Sequence, residues 1–268
     1  LEMITSNDSD NGTTVVTVIE FDDQDREIKR SWQQSGHPER IQTQLWDLDG
    51  LLKERHLYQG AITLLKETFT YTALGQLLNH HCAGIELPRD SQGRAITQQT
   101  FSYNNYESLS MVTSQFADGS ARERAQYVYA DDDPCQLRSI VYTPARSSPH
   151  PTFKYDRNGN MVLDQYGCTL RYDSQNRLQS LVRAAGTGQY RYDAHNRLLG
   201  STDGSGADSV LVYQNHRLTL AVRGALRTQY LDLDDQPVGQ QTLDDASQTL
   251  LLHAADNASV VAEGQHGS

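Results

Sequence analysis

The sequence predicts an all-β protein built from sequential antiparallel β-hairpins. Three observations carry that prediction. One short phrase recurs along the 268 residues, and repetition serves architecture more often than catalysis. Tyr is abundant, with 14 copies against 5 Phe and 2 Trp, and Tyr favours half-buried pleated surfaces. Around the phrase, side-chain character alternates with a period of two instead of 3.6.

The phrase is clearest in 155-YDRNGNMVLD-164, 172-YDSQNRLQSL-181 and 190-YRYDAHNRLLGSTD-203. Looser copies are 21-FDDQDREI-28, 46-WDLDGLL-52, 71-YTALGQLL-78, 103-YNNYESLS-110, 129-YADDDPCQL-137 and 213-YQNHRL-218. A weaker copy, 90-DSQGRAI-96, lacks the aromatic. The aromatic anchors are Phe21, Trp46, Tyr71, Tyr103, Tyr129, Tyr155, Tyr172, Tyr192, Tyr213 and Tyr230, spaced 17 to 32 residues apart. That irregular period suits hairpins of unequal arm length and not a solenoid of equal coils.

Each copy has the chemistry of a tight turn. Asp is favoured at the first position of a type I turn, and Gly or Asn at the fourth, where φ is often positive. Asp156 with Gly159, Asp173 with Asn176 and Asp193 with Asn196 fit this pattern. A type I turn followed by one left-handed residue makes a three-residue hairpin loop. Counting outward then sets Asp173 against Arg177 and Tyr172 against Leu178. The same count sets Asp193 against Arg197 and Tyr192 against Leu198. In 213-YQNHRL-218, one residue shorter, Tyr213 faces Leu218 across the loop Asn215-His216. Each cross-strand pair stabilises by roughly 0.2–1 kcal/mol. These hairpin-turn residues, Tyr155 through Leu218, are structural candidates and not catalytic ones.

Helical signal is weak. The best stretch, 47-DLDGLLKERHL-57, contains Gly50 and a Trp-Asp turn signature, so a hairpin is expected there too. Residues 1–14 are expected to form a flexible N-terminal segment and 15–268 the repeat region, clearest over 153–218. The stretch 144–151 also has a loop composition.

The bulk properties narrow the function. The net charge is −11, with no Lys/Arg stripe, so nucleic acid is not an expected partner. No run reaches the roughly 20 apolar residues of a membrane helix, so the chain is not expected to insert into a membrane. Cys82, Cys135 and Cys168 are odd in number and far apart, and no disulfide framework or Cys-rich metal site is expected. In His80-His81-Cys82, adjacent strand residues point to opposite faces, which separates neighbouring ligands. The run after Asp156 lacks the Gly and Glu of a calcium loop. The acidic 130-ADDDPC-135 and 231-LDLDDQ-236 read as solvated turns. No Gly-x-Ser-x-Gly or phosphate loop is present. No cofactor, metal or enzymatic activity is expected.

The repeated Tyr-Asp-x-x-Gly/Asn-Arg-Leu phrase resembles the YD repeats of rearrangement-hotspot (Rhs) proteins. It is similar to the C component of bacterial insecticidal toxin complexes and, more distantly, to teneurins. The segment 250-LLLHAADNASVVAEGQ-265 resembles the part of that family just before its closing region. The resemblance implies a coiling β-sheet strip that forms part of a hollow Rhs-type shell around a toxic C-terminal domain. It implies remaining shell segments, other toxin-complex chains and an encapsulated toxin domain as partners, and a secreted or exported bacterial protein. The family's closing region carries an Asp-Pro-x-Gly motif for self-cleavage. No such motif occurs here, so those residues are not carried over, and the chain is expected to be a fragment without the closing region or toxic domain. The competing reading is a surface carbohydrate- or protein-binding module displaying Tyr rows.

Overall fold

A computed structural model describes the backbone of residues 2–8, 13–146, 151–233, 236–243, 248–256 and 259–267. The described residues contain β-strands and turns and no helix.

The first sheet has eleven strands in chain order. It opens with β1 (Glu2–Asp8), β2 (Thr13–Phe21), β3 (Glu27–Gln34) and β4 (Arg40–Trp46). It continues through β5 (Leu52–Gln59), β6 (Ile62–Tyr71), β7 (Leu77–Gly84) and β8 (Ile96–Tyr103). It closes with β9 (Leu109–Phe116), β10 (Glu123–Tyr129) and β11 (Leu137–Thr143).

The second sheet has twelve, again in chain order. These are β12 (Lys154–Tyr155), β13 (Met161–Leu163), β14 (Thr169–Tyr172), β15 (Leu178–Arg183), β16 (Gly186–Tyr192) and β17 (Leu198–Thr202). They continue as β18 (Asp208–Gln214), β19 (Arg217–Arg223), β20 (Leu226–Leu233), β21 (Gln236–Leu243), β22 (Gln248–Asp256) and β23 (Ser259–Gly267). The described strand pairs are all antiparallel, so the predicted run of sequential hairpins is the architecture.

The stretch 47–57 forms the expected hairpin, with Leu52 opening β5. The segment expected to be flexible, 1–14, contains β1 over Glu2–Asp8. A sheet edge offers unpaired N–H and C=O groups that any extended segment can satisfy whatever its side chains, and composition does not reveal that. Of 144–151, residues 147–150 lie outside the described residues.

Side-chain burial follows the period of two. Along β18 exposed and half-buried residues alternate from Asp208 to Gln214. The more exposed face of the second sheet is not simply charged, since Val182, Leu199, Val210 and Val212 lie on the exposed side of the count. The buried apolar residues of the first unit include Ile19, Leu64, Ile96, Val112, Phe116 and Phe153, and those of the second Val15 and Cys168. Among the described residues no large side chain is fully buried.

The first unit also buries polar and charged side chains. Glu123, 7% exposed, opens β10 between two guanidinium groups. Arg94 lies 3.0 Å and Arg146 2.5 Å from its carboxylate. Arg94 also covers the Phe116 ring at 3.8 Å, and Arg146 the Tyr142 ring at 3.6 Å. Burial opposes ionisation of Glu123, but the two arginines outweigh it and hold the carboxyl below its usual range. Gly84 solves a steric problem at the far end of β7. Its φ is +126°, and a Cβ there would lie 2.9 Å from the Leu64 carbonyl carbon, whose oxygen accepts from the N–H groups of Ile85 and Glu86 at 2.8 Å each.

Removing one partner of a buried, multiply paired charge costs about 3–5 kcal/mol. Glu123→Ala leaves Arg146 without its carboxylate partner and Arg94 with Asp90 alone, so the first unit should lose stability toward the lower end of that scale, read as a lowered urea midpoint by circular dichroism. An unchanged midpoint would show that the three-charge cluster is dispensable.

Candidate functional site

The feature that recurs is the hairpin tip. Among the described residues ten tips share one hydrogen-bond pattern, beginning at Asp22, Asp47, Thr72, Asp90, Asn104, Asp156, Asp164, Asp173, Asp193 and Asp203. In each, the first residue's N–H donates to the carbonyl four residues on, and the fourth residue's N–H donates back to the first carbonyl. The fourth residue has positive φ in every case: +60° at Asn176, +64° at Asn196 and +83° at Gly159, for example. The first side chain's oxygen then accepts two backbone N–H groups, two and four residues ahead. At Asp193 these come from His195 at 2.8 Å and Arg197 at 2.9 Å. At Asp173 they come from Gln175 at 2.9 Å and Arg177 at 3.0 Å, and at Asp156 from Asn158 and Asn160, both at 2.9 Å.

The second carboxylate oxygen takes the residue at the fifth position. Arg177 Nε donates to Asp173 at 2.7 Å, and Arg197 Nε to Asp193 at 2.6 Å. The tip needs an acceptor at its first position, not a charge, because Thr72 and Asn104 make the same backbone contacts.

The anchoring pairs lie where the register places them: Tyr155 opposite Met161, Tyr172 opposite Leu178, Tyr192 opposite Leu198 and Tyr213 opposite Leu218. Immediately beyond, the register slips by one. Arg191 pairs with Gly200 and leaves Leu199 as a bulge. The same slip follows Trp46–Leu52, Tyr71–Leu77 and Tyr103–Leu109. Counting from the turn does not reveal this bulge, which adds local right-handed twist. The tip at Asp164, with Gly167 and Cys168, was also missed, because Leu163 stands where the aromatic would be.

The aromatic reaches beyond its own hairpin. Tyr192 Oη donates to the Leu178 carbonyl at 3.0 Å, Tyr71 to Leu52 at 2.7 Å, Tyr103 to Leu77 at 2.8 Å and Tyr129 to Leu109 at 2.7 Å. Trp46 Nε1 does the same to Glu27 at 2.8 Å. The arginine answers in the other direction. Arg177 Nη1 donates to the Asp193 carbonyl at 3.1 Å and Arg197 Nη1 to the Asn215 carbonyl at 2.6 Å. Their guanidinium carbons lie 5.1 Å and 5.3 Å from the Tyr192 and Tyr213 ring centroids, within cation–π range.

A second constellation lies on β6 and β7. Counting from the Tyr71–Leu77 pair without a bulge sets Glu67 against His81. The bulge moves every partner by one, so Glu67 pairs with Cys82 and Phe69 with His80. A one-residue slip exchanges the two faces of a strand, which brings Glu67, His80 and Cys82 together. His80 Nε2 is 2.9 Å from Glu67 Oε1 and 3.2 Å from Cys82 Sγ. His81 is exposed on the opposite face. The rule that adjacent residues cannot share a ligand holds for His81, but the pair two residues apart escapes it. Burial pushes the Cys82 thiol up to about 11, with the Glu67 charge adding to it. Burial also opposes ionisation of Glu67, but the hydrogen bonds from His80 and Arg55 prevail and hold its carboxyl below the usual range.

Fold and tip together define a class, that of all-β chains assembled from YD-repeat hairpins. Residues 85–203 match the Teneurin YD-shell family. No curated protein matches the chain. Among solved structures, a chain of the Photorhabdus luminescens Tc holotoxin pore, containing a TccC3 variant, is similar over 93% of this chain and 15% of its own. Its TM-score is 0.50 at 12% identity, a likeness of fold alone. A chain of the TcdB2-TccC3-Cdc42 crystal structure is similar at TM-score 0.48 and 10% identity, over 95% of this chain and 16% of its own. The chain thus spans about a sixth of the length of these two structures' chains.

Two outcomes test the tip. Asn196→Val puts a β-branched residue at φ +64°, a conformation costing an L-residue about 1–2 kcal/mol. Amide exchange across β16 and β17 should accelerate accordingly, whereas Asn196→Gly should stay close to wild type.

The second outcome concerns pH. The Arg197 backbone N–H, with the Arg197 guanidinium and the His195 N–H, holds the Asp193 carboxyl down at about 2. A carboxyl depressed in the folded state contributes its full stabilisation above its unfolded pKa, about 3.9, and loses it as pH falls toward the folded value. Protection of the His195 and Arg197 amides, corrected for intrinsic exchange, should therefore fall between about pH 5 and pH 2. Asp193→Asn should flatten that dependence.

Proposed function

We propose that this chain is a structural segment of a Rhs-type YD-repeat shell, one that encloses or carries a toxic domain in a bacterial toxin or interbacterial effector. The observation that carries the reading is the repetition of one tip in both sheets, with several copies joined to a neighbour through backbone carbonyls. A unit used many times builds a wall, and its residues are committed to each other instead of to a substrate. The tip residues from Tyr155 to Leu218 act here as structural latches, and the chain has no enzymatic role of its own. The Teneurin YD-shell match and the fold shared with a Tc holotoxin chain support the same reading. On it, the partners are further shell segments or toxin-complex chains and an enclosed toxin domain, in a protein exported from a bacterium.

A sugar-binding surface made of Tyr rows is less favoured. Of the 14 tyrosines only Tyr106 and Tyr166 are exposed, and at several tips the hydroxyl is held by a carbonyl of the preceding hairpin.

The test is a cryo-electron microscopy reconstruction of the longer polypeptide that carries this segment, with limited proteolysis alongside. The expected result is that these strands line a closed wall and that a domain inside resists protease until the wall is opened. A segment standing free of any enclosure, with every other domain protease-sensitive, would overturn the reading.

A further inference from the structure

The cluster on β6 and β7 has the composition and spacing of a metal centre. Glu67, His80 and Cys82 each offer one ligand atom, and those atoms lie within 4.8 Å of one another. A sulfur, an imidazole nitrogen and a carboxylate oxygen form a mixed set that suits zinc, a borderline-soft divalent ion. Calcium and magnesium take oxygen ligands instead.

The distances can be tested against zinc. Metal–ligand bonds of about 2.0–2.1 Å for N and O and about 2.3 Å for S, at a tetrahedral angle, set ligands about 3.3 Å (N···O) and about 3.6 Å (N···S) apart. The two separations from His80 Nε2 are 2.9 Å and 3.2 Å, so each must open by a few tenths of an ångström, while Glu67 Oε1 and Cys82 Sγ, within 4.8 Å of each other, must settle at about 3.6 Å. Two of the three ligands are held in place. The His80 ring stacks on Phe69, with centroids 4.8 Å apart and planes 7° from parallel. Glu67 gives its other oxygen, Oε2, to Arg55 at 2.6 Å, which leaves Oε1 as the single oxygen turned to the site. Glu67 and Cys82 are less than 10% exposed.

The geometry points to a zinc-binding site formed by Glu67 Oε1, His80 Nε2 and Cys82 Sγ, which clamps β6 to β7 and leaves a fourth position for water. Binding displaces the Cys82 thiol proton to solvent, so the sulfur enters as thiolate. This site is independent of the shell reading, since it depends on one pair of strands and not on what the sheet encloses.

The experiment uses the 268-residue chain with Cys135→Ser, which removes the one exposed thiol among the described residues. Reduced protein is titrated with Co2+ as a spectroscopic probe and then with Zn2+. The expected result is one Co2+ per chain with a thiolate-to-cobalt charge-transfer band that Zn2+ abolishes. In Zn2+-loaded protein, peptide mapping should show Cys82 protected from alkylation. Cys82→Ser should lose the band, and Glu67→Gln and His80→Gln should weaken binding at least tenfold, while His81→Gln should not. Absence of the band, its survival in Cys82→Ser, or equal affinity in His80→Gln and His81→Gln would overturn the site. The first measurement needs no ligand variant, so misfolding of a variant cannot decide the outcome.

Discussion

Each hairpin depends on one side-chain oxygen that collects the N–H groups two and four residues ahead of it. A free turn leaves those donors to water and samples several loop lengths. Captured by Asp193, or by Thr72 where no charge is available, they fix a three-residue loop with a left-handed fourth position. Loop length fixes register, and register decides which face every residue of both arms occupies. The Tyr–Leu pair, the bulge beyond it and the alternating burial of the arms all follow from that capture. Where the fifth residue is Arg, its guanidinium takes the remaining oxygen and closes the turn from outside.

With the tips fixed, neighbouring hairpins can be fastened. The aromatic of a later hairpin donates to a carbonyl of the earlier one, and the arginine of the earlier hairpin donates to a carbonyl of the later one. At an isolated sheet surface such bonds contribute about 0.5–1.5 kcal/mol each. They add to the burial of apolar residues such as Ile19, Leu64 and Phe153. The Glu123 cluster fills the same need where the chain runs through 88–96 without an aromatic anchor.

Much of this was legible in the sequence because it is local. Asp193, Asn196 and Arg197 lie within five residues, and turn preferences act at that range. The Tyr192–Leu198 pair came from counting out of the same turn. What escaped was what lies past the first pair. The bulge at Leu199 depends on how twisted strands meet, and nothing in the identity of Leu199 announces it. The hydroxyl contacts of Tyr71 and Tyr192 require knowing which carbonyl the next hairpin presents. The Glu67–His80–Cys82 cluster escaped for the same reason, since the unbulged count sends Glu67 to His81 on the wrong face. The tip at Asp164 lacks both the aromatic, which Leu163 replaces, and the Arg-Leu that follows in the clearest copies. At the N-terminus, β1 spans Glu2–Asp8 within a stretch whose composition reads as loose.

The clasp between neighbouring hairpins is made with main-chain carbonyls: those of Leu178 and Asp193 at one junction, and that of Asn215 at the next. A main-chain acceptor is the same whatever residue carries it. The acceptor side of the clasp therefore carries no side-chain identity. The order of hairpins along each sheet is set by the covalent thread between them, and a cut in a connecting strand would erase positional information that the joints do not hold.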